Sequence, residues 1–375
     1  MGDTAMRVPR GARLPSFTSF FTRHTTMQYR PLGRTGLKVS AIALGTMTWG
    51  EQNTEAEAHA QMDAALDAGV NFVDTAEMYP VPPRAETQGR TEQYIGTWLK
   101  KTGRRNDIVL ATKATGPSRQ AGRPSHVRGG QLNFTRANLE EAVNQSLKRL
   151  QTDHIDLYQL HWPDRTAPIF GQRSYVHRPD EDTVPIEETL EALQGLIQAG
   201  KIRHFGVSNE TPWGLSRFLT LADYKGLPRA ASIQNVYSLV NRHFELGLSE
   251  IALREECGLL AYSPLAFGVL TGKYLNGAKP EGARLTLFDR FTRYNDPNIE
   301  AAAAAYVALF REHGLDPAQA ALAYVNSRDF VTANIIGATT MAQLQSNIAS
   351  IDLVLPPEVL EGIERIQARW PNPSA

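Results

Sequence analysis

Residues 70–79 read VNFVDTAEMY, from Val70 to Tyr79. The opening apolar run, bounded by Gly69 and a polar tail, has the pattern of a short buried strand. It ends at an acid, Asp74, and a phenol, Tyr79, lies on the loop just beyond. An acid at the carboxyl end of a buried strand is a place for chemistry in an α/β protein. The fold and the function both turn on what joins Asp74 and Tyr79 there.

Working outward, the same alternation recurs along the chain. Upstream, residues 29–40 read as a small hairpin around Gly33 and Gly36, and residues 42–45 as a strand. Thr54 caps a helix with apolar Ala58, Met62, Ala65 and Leu66 that stops at Gly69. Downstream, helices are expected over 90–101, from Thr135 through Leu150, and over 186–199, 213–224 and 245–257. Strands are expected at 108–111, 155–160, 204–207, 231–236, 259–262 and 334–336. After 259–262 come a long connection and helices over 299–312, 317–326, 341–350 and 356–369. Strands alternating with helices imply a parallel sheet, and eight such units close most simply as a (β/α)₈ TIM barrel with an N-terminal hairpin and a C-terminal helix. An open doubly wound sheet is disfavoured because no G-x-G-x-x-G follows the first strand.

Composition sets the outer bounds. The chain has 375 residues, with 42% hydrophobic and 21% charged, as expected of a globular enzyme with a sizeable core. Lys+Arg and Asp+Glu are both 39, so the balance gives no support for a nucleic-acid partner. No apolar run approaches the ~20 residues of a membrane span. The lone cysteine, Cys257, permits no intrachain disulfide, and a reducing, cytoplasmic setting is expected. Residues 1–26 carry Arg7, Arg10, Arg13 and Arg23 against one acid, Asp3, and read as a disordered extension or an upstream start rather than a transit peptide. Residues 27–375 are expected to form one barrel domain.

In a closed barrel the strand ends lie side by side at one rim. Asp74, Lys113 and His161 end the second, third and fourth strands, and Tyr79 follows the second. An ammonium beside a phenol favours the phenolate, so Lys113 is expected to lower the proton affinity of Tyr79. Asp74 would hold Lys113 charged, and His161 would donate a hydrogen bond to a carbonyl oxygen placed against Tyr79. One histidine and one carboxylate are a poor metal site, and none is expected. A polarised carbonyl needs a hydride, which a nicotinamide would supply. Ser208, Asn209 and Gln234 offer hydroxyl and amide groups to a carboxamide, and Tyr262 offers an aromatic face. Trp49, Met78 and Trp162 adjoin these residues and could wall an apolar pocket. Two long strand-to-helix loops, 114–133 and 165–185, would sit on the same face. Arg119, Arg123 and Arg128 in the first read as solvated surface rather than as an anion site.

With these residues in view, the chain resembles the aldo-keto reductase family over residues 27–369. The motifs that carry the resemblance are GTMTWG at 45–50, FVDTAEMY at 72–79 and LATK ending at Lys113. Further along they are IDLYQLHWPD at 155–164, GKIRHFGVSN at 200–209, QNVYS at 234–238, AYSPLAFGVLTGKY at 261–274 and GATTMAQLQSN at 337–347. The long loop after the fourth strand resembles the bacterial Tas-like branch in particular. The resemblance implies NADP(H)-dependent reduction of aldehydes or ketones, with Tyr79 as proton donor and Asp74, Lys113 and His161 completing the set. It implies Ser208, Asn209 and Gln234 on the nicotinamide amide and Tyr262 against its ring. It also implies Ser263, Pro264, Leu265, Gly268, Leu270, Gly272 and Lys273 along the pyrophosphate, and Gly337, Thr339, Gln343 and Asn347 toward the adenosine end. One departure is visible: residues 337–340 hold no Lys or Arg for a 2′-phosphate. Thr339, Thr340 or the more distant Arg293 are left for that contact. A Schiff-base lyase built on Lys113 and a redox-sensing, cofactor-binding subunit of an ion channel are the rival readings.

Overall fold

The computed structural model describes residues 27–117 and 126–374. Residues 1–26, Arg119 and Arg123 therefore lie outside the described residues. The expected hairpin is present as β1 (Tyr29–Pro31) and β2 (Lys38–Ser40). Eight strands follow: β3 (Ile42–Gly45), β4 (Phe72–Asp74), β5 (Val109–Ala114), β6 (Ile155–Leu160), β7 (Ile202–Ser208), β8 (Ser232–Val236), β9 (Gly258–Tyr262) and β10 (Val331–Ile336). They close into a parallel barrel in chain order, with β10 pairing back onto β3. The surrounding helices are α1 (Glu55–Asp67), α2 (Arg90–Thr102), α3 (Arg136–Leu150), α4 (Ile186–Gln198), α5 (Pro212–Lys225), α6 (Leu248–Arg254), α8 (Pro297–Glu312), α9 (Pro317–Asn326) and α10 (Met341–Ala349), with the short α7 (Arg284–Leu287) in the connection after β9. The C-terminal helix is α11 (Pro357–Arg369). Among the described residues no helix is long and apolar enough to cross a membrane.

Local chemistry explains most of these boundaries. Thr54 and Glu57 form a reciprocal capping box at the start of α1, and Thr135 accepts from the Asn138 backbone at the start of α3. Two departures from the expected boundaries have a visible cause. Val70 is not yet strand, because its N–H closes the end of α1 onto Ala65 O at 2.9 Å. Asn71 is held instead by the hairpin, its Oδ1 accepting from Ser40 N at 2.7 Å. Residues 245–257 are not one helix. Gly247, with φ −167°, separates a 3₁₀ turn over His243–Leu246 from α6.

The barrel interior is filled from the bottom by one cluster. Leu32 and Val39 of the hairpin plug it beneath Ala43, Phe72, Ala111, Leu157, Leu260 and Ala333. Gly33 sits at φ +53° against the residue that precedes β8, where a Cβ would come within 2.5 Å of Ala231 O, so only glycine fits. Inward and outward side chains alternate along a strand. The positions two residues beyond Phe72, Ala111 and Leu157 are Asp74, Lys113 and Gln159, so the apolar plug gives way to a polar layer near the carboxyl ends. His161 follows Gln159 by the same step.

Candidate active site

The polar layer is tightly bonded. Lys113 Nζ donates to Asp74 Oδ2 at 2.6 Å and to Thr75 O at 2.7 Å, and lies 3.5 Å from the Tyr79 hydroxyl. Both charged groups are buried, Lys113 completely. Burial alone would pull the Lys113 ammonium down, but Asp74 and then Tyr79 more than offset it, and the net direction is upward. Tyr79 moves upward too. Its burial outweighs the nearby Lys113 ammonium, which pulls the other way. The expected net lowering of Tyr79 is therefore corrected: Lys113 limits a rise caused by desolvation. The His161 ring stands edge-on to the Tyr79 ring, centroids 5.8 Å apart.

Gln159, which sequence reading passed over, completes this layer. Its Nε2 donates to Asp74 Oδ1 at 3.0 Å, and Gln234 Nε2 donates to the same oxygen at 2.9 Å. The period-2 pattern that points Leu157 inward was the signal that could have found it. Next along the rim, Ser208 Oγ donates to Gln234 O at 2.8 Å. Asn209 Nδ2 donates to His161 O at 2.8 Å, and Tyr262 OH donates to Asn209 Oδ1 at 2.6 Å. The strand ends from β6 to β9 are thus tied together by side-chain hydrogen bonds.

The segment between Asp74 and Tyr79 is pinned by a buried pair. Glu77 accepts from Thr115 N at 2.6 Å and from Arg128 Nη2 and Nε at 3.0 and 3.1 Å. Arg128, expected as solvated loop surface, is instead buried against Glu77. Of the expected apolar wall, Met78 and Trp162 cluster with Tyr79, Val127 and Leu132, with Met47 and Ile169 packed alongside. Trp49 is not in this cluster. It lies in the main hydrophobic core, its Nε1 donating to Gln61 Oε1 at 3.0 Å.

The segment after β9 carries Ser263, Pro264, Leu265, Gly268, Leu270, Gly272 and Lys273. Ser263, Ala266 and Phe267 all hold positive φ (55°, 49° and 57°), a strained backbone of the kind stored at functional sites. Gly268 follows at φ +92°, where a Cβ would meet Lys273 Cε at 2.6 Å. Burial pulls the Lys273 ammonium down, and the Arg284 guanidinium nearby adds to that. Arg284 stacks 4.9 Å over Phe267 and 5.9 Å from Phe291, and burial pulls its guanidinium down as well. Among the described residues neither cation pairs with a carboxylate. Sequence reading missed Arg284, which sits in a connection with no periodicity.

At the remaining site, Asn347 Nδ2 donates to Gly337 O at 3.2 Å, and Thr339 N and Oγ1 donate to Gln343 Oε1 at 2.9 and 3.1 Å. Thr340 caps α10 by accepting from Gln343 N. Arg293 does not lie beside these residues. It is set against the Tyr262 and Tyr294 hydroxyls and 5.6 Å from the Phe170 ring.

A closed parallel barrel with a buried Asp–Lys–Tyr set and a histidine at its carboxyl rim defines a class, and the comparison with known families gives the same one. The chain matches the aldo/keto reductase family over residues 41–368 and belongs to it. It is 53% identical to "Protein tas" of Escherichia coli (strain K12) over 93% of this chain and all of that protein. It is 32% identical to a "Probable voltage-gated potassium channel subunit beta" of Arabidopsis thaliana over 91% of this chain and 96% of that one. It is 30% identical to "L-glyceraldehyde 3-phosphate reductase" of Escherichia coli (strain K12), with 88% and 89% covered. Membership supports an oxidoreductase acting on carbonyl compounds with a nicotinamide cofactor.

Proposed function

We propose that the protein reduces aldehydes or ketones to alcohols with NADPH, and that Tyr79 supplies the proton. The observation that carries this reading is the Lys113 ammonium lodged between the Asp74 carboxylate and the Tyr79 hydroxyl. Burial keeps Tyr79 protonated at neutral pH, so it can donate to an oxygen on which charge develops. Lys113 favours the resulting phenolate, and Asp74 keeps Lys113 charged. His161, edge-on to Tyr79, orients the carbonyl oxygen, and Met78 and Trp162 exclude water on the substrate side.

The cofactor fits this rim. Lys273 and Arg284 supply unmatched positive charge for the phosphates, and Gly268, without a Cβ, makes room for the Lys273 side chain there. Tyr262 would face the ring, and Ser208, Asn209 and Gln234 its amide. Gly337, Thr339, Gln343 and Asn347 would hold the adenosine end. When bound, the dinucleotide supplies the hydride. The upward direction at Lys113 opposes the lyase alternative, because an imine-forming lysine needs a depressed proton affinity.

Similarity to potassium-channel β subunits supports a second reading, a cofactor-binding subunit with little turnover. Absorbance at the nicotinamide band, followed with NADPH and a panel of aldehydes including 4-nitrobenzaldehyde, separates the two. Steady consumption is expected. Saturable binding with no consumption would favour the second reading.

A further inference from the structure

Asp74 carries an oxygen that the charge pair does not use. Lys113 takes Oδ2, while Oδ1 accepts from Gln159 Nε2 at 3.0 Å and from Gln234 Nε2 at 2.9 Å. An ionised carboxylate only accepts. Both amides must therefore turn their nitrogens toward it, which settles an orientation that carbon-chain geometry alone leaves ambiguous. Gln234 Nε2 then directs its second N–H to Gln159 Oε1 at 3.0 Å. Both N–H bonds of Gln234 are used inside the barrel, and the amide can meet a ligand only through Oε1.

We propose that Gln159 is a positioning residue that locks the Gln234 amide with its carbonyl oxygen, and not its nitrogen, presented to the bound dinucleotide. This rests on the nicotinamide reading above. The lock needs both functions of Gln159. Its N–H₂ joins Gln234 on Asp74, and its carbonyl occupies the N–H that would otherwise be free to reach the ligand. Gln159 is fully buried, and among the described residues it makes no hydrogen bond to Lys113 or Tyr79; its path toward the cofactor runs through Gln234. The consequence is a chemical preference: the cofactor group against Gln234 must be a donor. A primary carboxamide satisfies Oε1. An acetyl group of nearly the same shape puts a methyl there and leaves a buried acceptor unpaired, at a cost of roughly 1–3 kcal/mol.

The test compares dissociation constants of NADPH and its reduced 3-acetylpyridine analogue by quenching of tryptophan fluorescence. It needs binding but no turnover. The wild-type protein is expected to prefer the carboxamide by about 10-fold or more, the scale of about 1.4 kcal/mol. Gln159→Leu, which leaves Gln234 held by Asp74 alone and its second N–H free to reach the ligand, is expected to lower the ratio. Gln159→Glu, taken up as the neutral acid, keeps a donor for Asp74 and a carbonyl for Gln234 and is expected to restore the preference. A residue with only a packing role would lower stability in both variants and leave the ratio unchanged. Equal affinity of the wild-type protein for the two dinucleotides would overturn the inference while leaving the nicotinamide reading intact. So would an undiminished ratio in Gln159→Leu. Binding of neither dinucleotide would overturn both. Where Gln159→Leu does not fold, Gln159→Met, which also lacks a carbonyl for the Gln234 N–H, takes its place, with the same expected fall in the ratio.

Discussion

The two sides of the barrel rim are built on opposite electrostatic plans. At the carboxyl ends of β4 and β5 the buried charges are paired: Lys113 on Asp74, Arg128 on Glu77. In the segment after β9, Lys273 and Arg284 are desolvated with no carboxylate among the described residues. A matched, buried set is organised before anything binds and suits proton transfer. Unmatched, desolvated cations carry an energetic cost that an anionic ligand removes. On the proposed reading, chemistry falls to the first side and ligand capture to the second.

The largest expected effect breaks the matched side. Lys113→Met leaves the Asp74 carboxylate buried without its cation and should cost about 3–5 kcal/mol of stability in denaturant unfolding. Adding Asp74→Asn should return part of that loss, and failure to do so would show that the two side chains are not coupled. On the unmatched side, Arg284→Ala should weaken NADPH binding by about 10-fold at low salt and by less at high salt, as expected for a screened phosphate contact. A salt-independent change would mean that stacking on Phe267, not charge, is what Arg284 contributes. The smallest effect serves as a control on both sides. Thr54→Ala removes the capping box of α1 and should cost about 1 kcal/mol of stability while leaving cofactor affinity unchanged.

The pH dependence sharpens the same contrast. The proposed reduction needs Tyr79 protonated, and burial raises its proton affinity above the ordinary phenol value of about 10. The reduction rate should therefore stay flat through neutrality and fall only in the alkaline range. Because Lys113 is the group that pulls Tyr79 downward, a folded Lys113→Met variant should move that alkaline limb to higher pH. A fall in rate at neutral pH would mean that another group titrates first.

The matched side was legible in the sequence because its residues stand on strands. Asp74, Lys113 and His161 each end an apolar run, and alternation along a strand fixes which way they point. Gln159 was equally fixed by that alternation, but it lies inside the run and reads as a filler between Leu157 and His161. The sign at Tyr79 was not legible, since sequence shows the neighbouring cation but not the depth of burial that outweighs it. The second side resisted for a different reason. Arg284 and Arg293 lie in a connection without periodicity, so nothing in their spacing says that one stacks on Phe267 and the other stands by Tyr262. Arg128 misled because a loop arginine is usually solvated, and only the fold brings the buried Glu77 to it. Trp49 misled through closeness in sequence, since it faces Gln61 in the main core.

The most direct test of the central claim is a paired measurement on wild-type protein and Tyr79→Phe. NADPH affinity by fluorescence titration and single-turnover reduction of 4-nitrobenzaldehyde would be read on the same preparations. The expected result is an affinity unchanged within about 2-fold and a chemical step slowed by roughly 10²-fold or more, the scale of a lost general acid. A wild-type rate in Tyr79→Phe would contradict Tyr79 as the proton donor, and with it the role given to the Asp74–Lys113 pair behind it.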